Sequence, residues 1–337
     1  MNRDRKIRII EPFLIIMESR LKNFEKIGGS MNLDDRDIGR IFELFKEEKE
    51  ESIVLIDFTP FSNLGTKDRY KKIKELLGKK KNVRAVVRNG PLVDRFKESK
   101  IPLLVCDENF KITESFFSSD DMKGKNYFEL HKEYVEKRLI KWIKKTAINA
   151  PKGKWIELGD GRGANRWLNL KGIIEEPKNL LFIGYQMGYL LTNAYSNNLD
   201  EDGFIASNNH AWILASLLSR IFEKELYIVD HLGPSPRINT KWLEEIKQET
   251  GGKGKKLVIV EDVISTGREL DLLYFFLNYI GVGVKKVITF LNLEEAKPKL
   301  FNDSNDKRLI SLCIPFPVKI RGYKQIPKYE YDEKVRL

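Results

Sequence analysis

Short unbroken runs of branched apolar residues constrain this chain's fold more than any other feature. Residues 53–58 read IVLIDF and residues 257–260 read LVIV. Runs of this length without polar alternation suit strands covered on both faces, and such strands belong to parallel sheets lying between helices. The segments between them carry a different period. Residues 13–24, 38–45, 69–77 and 92–97 have apolar residues at helical spacing, and residues 83–87 and 101–106 add two further strands. Alternation of this kind predicts an α/β architecture, beginning with a small parallel unit in the front third. Asp57 ends its strand, where α/β sheets place ligands and where a turn or capping role is the plainer expectation.

Residues 118–125 are polar and read as a loop, and the periodic segment 127–145 reads as a connecting helix. The stretch Ala150 to Lys154 (APKGK) closes it with Pro and Gly. The expected organisation is an α/β domain over 1–126, a connecting helix over 127–150, a second α/β domain over 151–318, and a basic, aromatic tail over 319–337. In that tail Tyr323, Tyr329 and Tyr331 alternate with charges of both signs, which suits packing across a domain or partner.

Composition narrows the function classes. No apolar run approaches the roughly 20 residues of a membrane helix. The opening MNRDRKIRII has no long apolar stretch of a secretory leader, so a cytoplasmic protein without a membrane partner is expected. Two cysteines, Cys106 and Cys313, cannot make a disulfide framework, and the three histidines lie too far apart in sequence for a zinc cluster. The net charge is +11, concentrated in the front half and notably in residues 67–81. A solvated Lys-rich surface explains that, and a nucleic acid or other polyanionic partner is the second reading.

The chemistry sits in residues 256–270, KLVIVEDVISTGREL. A strand core ends in two acids, Glu261 and Asp262. A loop of Val263, Ile264, Ser265, Thr266 and Gly267 follows and leads into the apolar helical pattern of Leu270 to Leu277. Such a loop and helix start offer unpaired N–H groups and a positive dipole end to a phosphate, and Gly267 permits close backbone approach. Neighbouring carboxylates can accept hydrogen bonds from adjacent ribose hydroxyls.

Here the sequence resembles the type I phosphoribosyltransferases, in particular the orotate phosphoribosyltransferase branch, over residues 152–318. The resemblance implies a Rossmann-like parallel sheet with a hood, formed by residues 155–177, preceded by the smaller α/β domain. It implies binding of phosphoribosyl pyrophosphate (PRPP) with Mg²⁺, the metal arriving on the ligand and not on protein side chains. Glu261 and Asp262 would hold the ribose, and Val263 to Arg268 the 5′-phosphate. The segment 180–194, LLFIGYQMGYLLTNA, would supply a diphosphate loop of Gly184, Tyr185, Gln186, Met187 and Gly188. Dimers are usual in that branch, so a homodimer is an expectation.

Three departures stand out. Arg268 and Glu269 follow Ser-Thr-Gly where the family continues with Gly and then Ser or Thr. A carboxylate about 5 Å from a phosphate would cost several kcal/mol at an effective dielectric near 20, a cost that disappears if Glu269 points to solvent and shrinks if Arg268 pairs with it or with the phosphate. The lid's Arg-Lys pair is absent after residues 226–229, leaving His231, Arg237 and Lys241 as lid candidates. Finally, Ser207 to His210 form a polar cluster before a helical run, with Asn208 or Asn209 as cap and Asn209 or His210 as a base contact. Two functions stay open: a transferase passing ribose 5-phosphate to a nitrogenous base, or a regulator or defence effector that senses PRPP or a nucleotide, with nucleic acid bound by the front domain.

Overall fold

The computed structural model describes residues 7–22, 37–41, 53–61, 64–78, 82–117, 122–157, 163–193, 199–229, 241–249, 254–264, 267–293, 308–313 and 320–321. Two compact units emerge: residues 1–135 with 192–198, and residues 136–191 with 199–337.

The first unit is a five-stranded sheet in simple sequence order. Its strands are β1 (Ile7–Ile10), β2 (Ile53–Asp57), β3 (Val83–Arg88), β4 (Leu103–Cys106) and β5 (Ile112–Phe116). The first four run parallel and β5 is antiparallel to β4. Between them lie α1 (Pro12–Lys22), α2 (Lys67–Gly78) and α3 (Pro91–Glu98). Every residue of β2 and β4 is buried, as unbroken apolar runs require. In α3, Pro91 stands at the first turn, where its missing N–H costs nothing. Sequence patterning places six of these elements within a few residues but misses β1 and β5, whose short polar-containing runs give no period.

Helix α4 (Tyr127–Thr146) has the expected extent, but the division between units falls inside it, after Val135, and not at residue 150. The reason lies in its second half. Trp142 packs edge-on against Phe182 with ring centroids 5.4 Å apart, and the Arg138 guanidinium lies 4.2 Å from the same ring. Both contacts belong to the second unit.

That unit is built on a five-stranded, all-parallel sheet ordered β11-β10-β12-β13-β14. Before it come four two-residue strands: β6 (Ile148–Asn149), β7 (Ile156–Glu157), β8 (Gly163–Ala164) and β9 (Arg166–Trp167). Then follow α5 (Lys171–Ile174) and α6 (Pro177–Leu191). The main sheet and its helices run β10 (Gly203–Ala206), α7 (Asn209–Phe222), β11 (Glu225–Ile228), α8 (Lys241–Glu249), β12 (Lys256–Ile264), α9 (Arg268–Tyr279), β13 (Gly283–Asn292) and β14 (Leu309–Cys313). A last strand, β15 (Ile320–Arg321), joins β8 and β7 in a small antiparallel sheet, so the start of the predicted tail folds back onto this unit. The rest of the tail lies outside the described residues, as do residues 230–240 and 294–307.

Order 2-1-3-4-5 within the parallel sheet makes this a doubly wound α/β fold, with the winding reversing between β10 and β12. Its core gathers Leu257, Ile259, Leu273, Leu277 and Val287, all fully buried. No described helix is long and apolar enough to cross a membrane. Both cysteines are buried and free.

Candidate functional site

A reversal in strand order leaves a crevice at the carboxyl ends of the two strands that flank it. β10 delivers Ser207 and Asn208 to that point, and β12 delivers Glu261 and Asp262. Helices α7 and α9 both begin there, so two positive helix ends converge on the same place.

Asn208 organises the group. Its Oδ1 accepts the Ala211 N–H at 2.8 Å and so caps α7. Its amide nitrogen is thereby turned to donate to Glu261 Oε2 at 3.2 Å and Asp262 Oδ1 at 3.1 Å. Ser207 Oγ lies 3.0 Å from Glu269 Oε1 and 3.5 Å from Glu261 Oε1, so its single proton goes preferentially to Glu269. His210 Nδ1 stands 3.4 Å from Asp262 Oδ2.

Two groups titrate unusually. Burial pushes the Glu261 carboxyl well above the carboxylate range, the charges of Glu269 and then Asp262 push it further, and the Ser207 hydrogen bond only partly opposes them. The hydrogen bond to Asp262 raises His210. Because the folded Glu261 holds its proton more tightly than the unfolded chain does, its contribution is complete below the ordinary glutamate value of about 4.3 and is lost as pH rises toward the folded value. His210 acts in the same direction, complete below its ordinary value near 6.5 and lost above it. Stability should therefore decline as pH rises from about 5 to 8, and Glu261→Gln should flatten that decline. Denaturant unfolding at several pH values reads this directly, and an unchanged slope in the variant would show that Glu261 ionises normally.

The structure brings together Glu261 and Asp262 as expected and corrects their surroundings. Val263 and Ile264 are not loop residues: β12 runs on through them, paired with Leu291 and Asn292. Ser265 and Thr266 lie outside the described residues. Gly267 precedes α9 at φ 75°, a left-handed conformation that glycine adopts without strain. Arg268 opens α9, with its side chain outside the described set. Glu269 turns inward to Ser207 and not to solvent.

A second correction concerns Gly184, Tyr185, Gln186, Met187 and Gly188. They form no diphosphate loop but lie inside α6, buried, their backbone groups committed to the helix. A Cβ on Gly184 would stand 2.3 Å from Leu217 Cδ2, so this glycine lets α6 and α7 pack closely. Of the lid candidates, His231 and Arg237 lie outside the described residues, and Lys241 opens α8 with its side chain undescribed. Sequence reasoning missed that Asn208 bridges both carboxylates; its capping signal was the available clue.

In the first unit, Asp57 plays the turn role: its Oδ1 accepts the Thr59 backbone N–H at 2.8 Å and hydroxyl at 2.6 Å. Burial raises its pKa. Among the described residues no group of three or more His, Cys, Asp or Glu could hold a metal ion.

No protein-family model and no curated protein matches the chain. Among solved structures it is similar to orotate phosphoribosyltransferase from Aeropyrum pernix, at 15% identity and TM-score 0.38, over 52% of this chain and 93% of that one. It is similar to adenine phosphoribosyltransferase from Thermoanaerobacter pseudethanolicus, at 15% identity and TM-score 0.37, over 52% and 99%. Leishmania donovani UMP synthase is similar at 13% identity and TM-score 0.38, over 81% and 67%.

Proposed function

We propose that the second unit binds PRPP with Mg²⁺ and transfers ribose 5-phosphate to a nitrogenous, base-like acceptor with release of pyrophosphate. One observation carries the reading: an adjacent acid pair lies near the carboxyl end of β12 at the winding reversal, held by Asn208 and close to the starts of two helices. The motif E-D-V-I-S-T-G supports it from the sequence.

In this reading Asp262, with Glu261, accepts or shares hydrogen bonds with the ribose hydroxyls. Burial and the neighbouring charges raise the Glu261 pKa, which favours its protonated form and makes the site less repulsive to an anionic ligand. The first turn of α9 meets the 5′ end of the ligand. The first turn of α7, with Asn209 and His210, meets the diphosphate or the acceptor. The C1–oxygen bond to pyrophosphate breaks with its electron pair leaving on the diphosphate, and the acceptor nitrogen closes on the ribosyl carbon. When bound, Mg²⁺ neutralises diphosphate charge. Asp262 and Glu261 already spend oxygens on Asn208, in keeping with a metal that enters on the ligand's phosphates. A sensor that binds PRPP or a nucleotide without transfer is the second reading, favoured by the inward turn of Glu269.

Calorimetric titration of the full chain with PRPP and Mg²⁺ should give saturable binding. Asp262→Ala should weaken it about 100-fold, or about 2.7 kcal/mol. Pyrophosphate release with candidate bases then separates transferase from sensor. Absence of binding at millimolar PRPP would remove both.

A further inference from the structure

The first unit holds a cavity of about 470 Å³, a size suited to a small ligand, and every residue lining it belongs to that unit. It lies at the carboxyl edge of the parallel sheet, the edge on which α/β sheets place ligands. Arg88 ends β3, while Glu108, Asn109 and Phe110 follow β4. Asn126 and Phe128, at the start of α4, line it too.

The turn after β4 is tied down. Asp107 Oδ1 accepts the N–H groups of Asn109 and Lys111, both at 2.9 Å, and the Phe110 carbonyl accepts the Tyr127 N–H at 2.7 Å. These bonds hold Phe110 at φ 59°, a left-handed conformation uncommon for a bulky side chain. Asn126 joins turn and helix, donating to the Asn109 carbonyl at 3.0 Å and accepting the Glu129 N–H at 3.1 Å.

Arg88 carries the chemistry. Its half-buried guanidinium lies 4.9 Å from the centre of the Phe110 ring and makes no hydrogen bond or ion pair among the described residues. A planar fork backed by a ring and left with its donors unspent suits a phosphate or carboxylate. The Phe110 and Phe128 rings, 5.5 Å apart, form an aromatic wall that suits a planar ring. The Glu108 carboxylate and the Asn109 side-chain amide also have no partner among the described residues, so they are available to hydroxyl and amine groups. Charge limits the choice further. One cation beside one anion matches a ligand with a single phosphate, whereas a nucleic-acid backbone calls for a row of cations.

We propose that this cavity binds a nucleoside 5′-monophosphate, with Arg88 on the phosphate, Phe128 against the base, and Glu108 and Asn109 on hydroxyl and base-edge groups. The site is separate from the ribosyl crevice of the second unit and does not depend on it.

AMP, GMP, CMP and UMP are each titrated into the full chain and into Asp262→Ala, which disables the second unit's crevice, with binding followed by ligand-observed NMR. At least one nucleotide should bind Asp262→Ala. Adding Arg88→Ala to that protein should weaken it about tenfold or more, and Arg88→Lys should weaken it less, because lysine keeps the charge without the fork. Asn109→Ala alters an exposed side chain, should cost about threefold, and serves if the Arg88 variants unfold. The matching nucleoside, lacking the phosphate, should bind more weakly and should not distinguish Arg88 from alanine. Binding that vanishes in Asp262→Ala, or that ignores both the Arg88 and Asn109 substitutions, overturns the site. Absence of binding at millimolar nucleotide does the same. A single-stranded oligonucleotide that binds through Arg88 more tightly than any mononucleotide overturns the ligand class.

Discussion

Asn208→Asp should destabilise the second unit by about 2–4 kcal/mol at neutral pH, with much of the loss recovered near pH 5. Aspartate caps helices as well as asparagine does, so the bond from the Ala211 N–H survives the change. What disappears is the amide donor that serves Glu261 at 3.2 Å and Asp262 at 3.1 Å. Hydrogen bonds to charged groups contribute roughly 1.5–3 kcal/mol. In place of the donor, a carboxylate oxygen faces the carboxyls of the pair, and like charges at that distance add to the cost. Asn208→Ser, which caps and adds no charge but also lacks the amide donor, should cost less than the aspartate variant, about 1.5 kcal/mol. Denaturant melts of the three proteins at pH 5 and 7.5 decide the matter. If the aspartate variant matches the parent at pH 7.5, Asn208 is a cap and nothing more.

Gly184→Leu should cost about 3 kcal/mol, at the upper end of overpacked substitutions. A glycine inside a helix is normally about 1 kcal/mol worse than alanine, so its presence in the buried middle of α6 calls for a packing reason. Leu217 on α7 supplies it, with Cδ2 and Cγ at 2.3 Å and 2.9 Å from where a Cβ would lie. Adding Leu217→Ala should return more than 1 kcal/mol of the loss, a coupling that thermal or denaturant unfolding of the double mutant measures. Ligand affinity per folded molecule should stay the same. A variant that keeps its stability and loses PRPP binding would restore the diphosphate-loop reading of residues 184–188.

Gly184 also shows where sequence reasoning reached its limit. Glycines four apart after an apolar run serve equally as a phosphate loop or as a notch for a neighbouring helix, and only the identity of the neighbour separates them. The apolar runs of β2 and β12 were legible because burial on both faces leaves no other pattern. Glu261 and Asp262 were legible because acids ending such a run have no packing reason to be there. The inward turn of Glu269 was not: its partner, Ser207, is 62 residues away and meets it only because β10 and β12 are neighbours. Strand order is a long-range property, and with it came the bridging by Asn208. β1 escaped notice for a different reason, since four residues reading IRII are too few to display a period.

The small antiparallel sheet carries a further consequence, for the chain as it is being made. Ile320 and Arg321 supply the outer strand against Ala164 and Gly163, and they come last of all the described elements. Until they leave the ribosome, β8 presents a bare flank of amides and carbonyls beside β7. Pairing of β15 with β8 waits for all of the intervening chain, and closing so long a loop is slow as well as entropically costly.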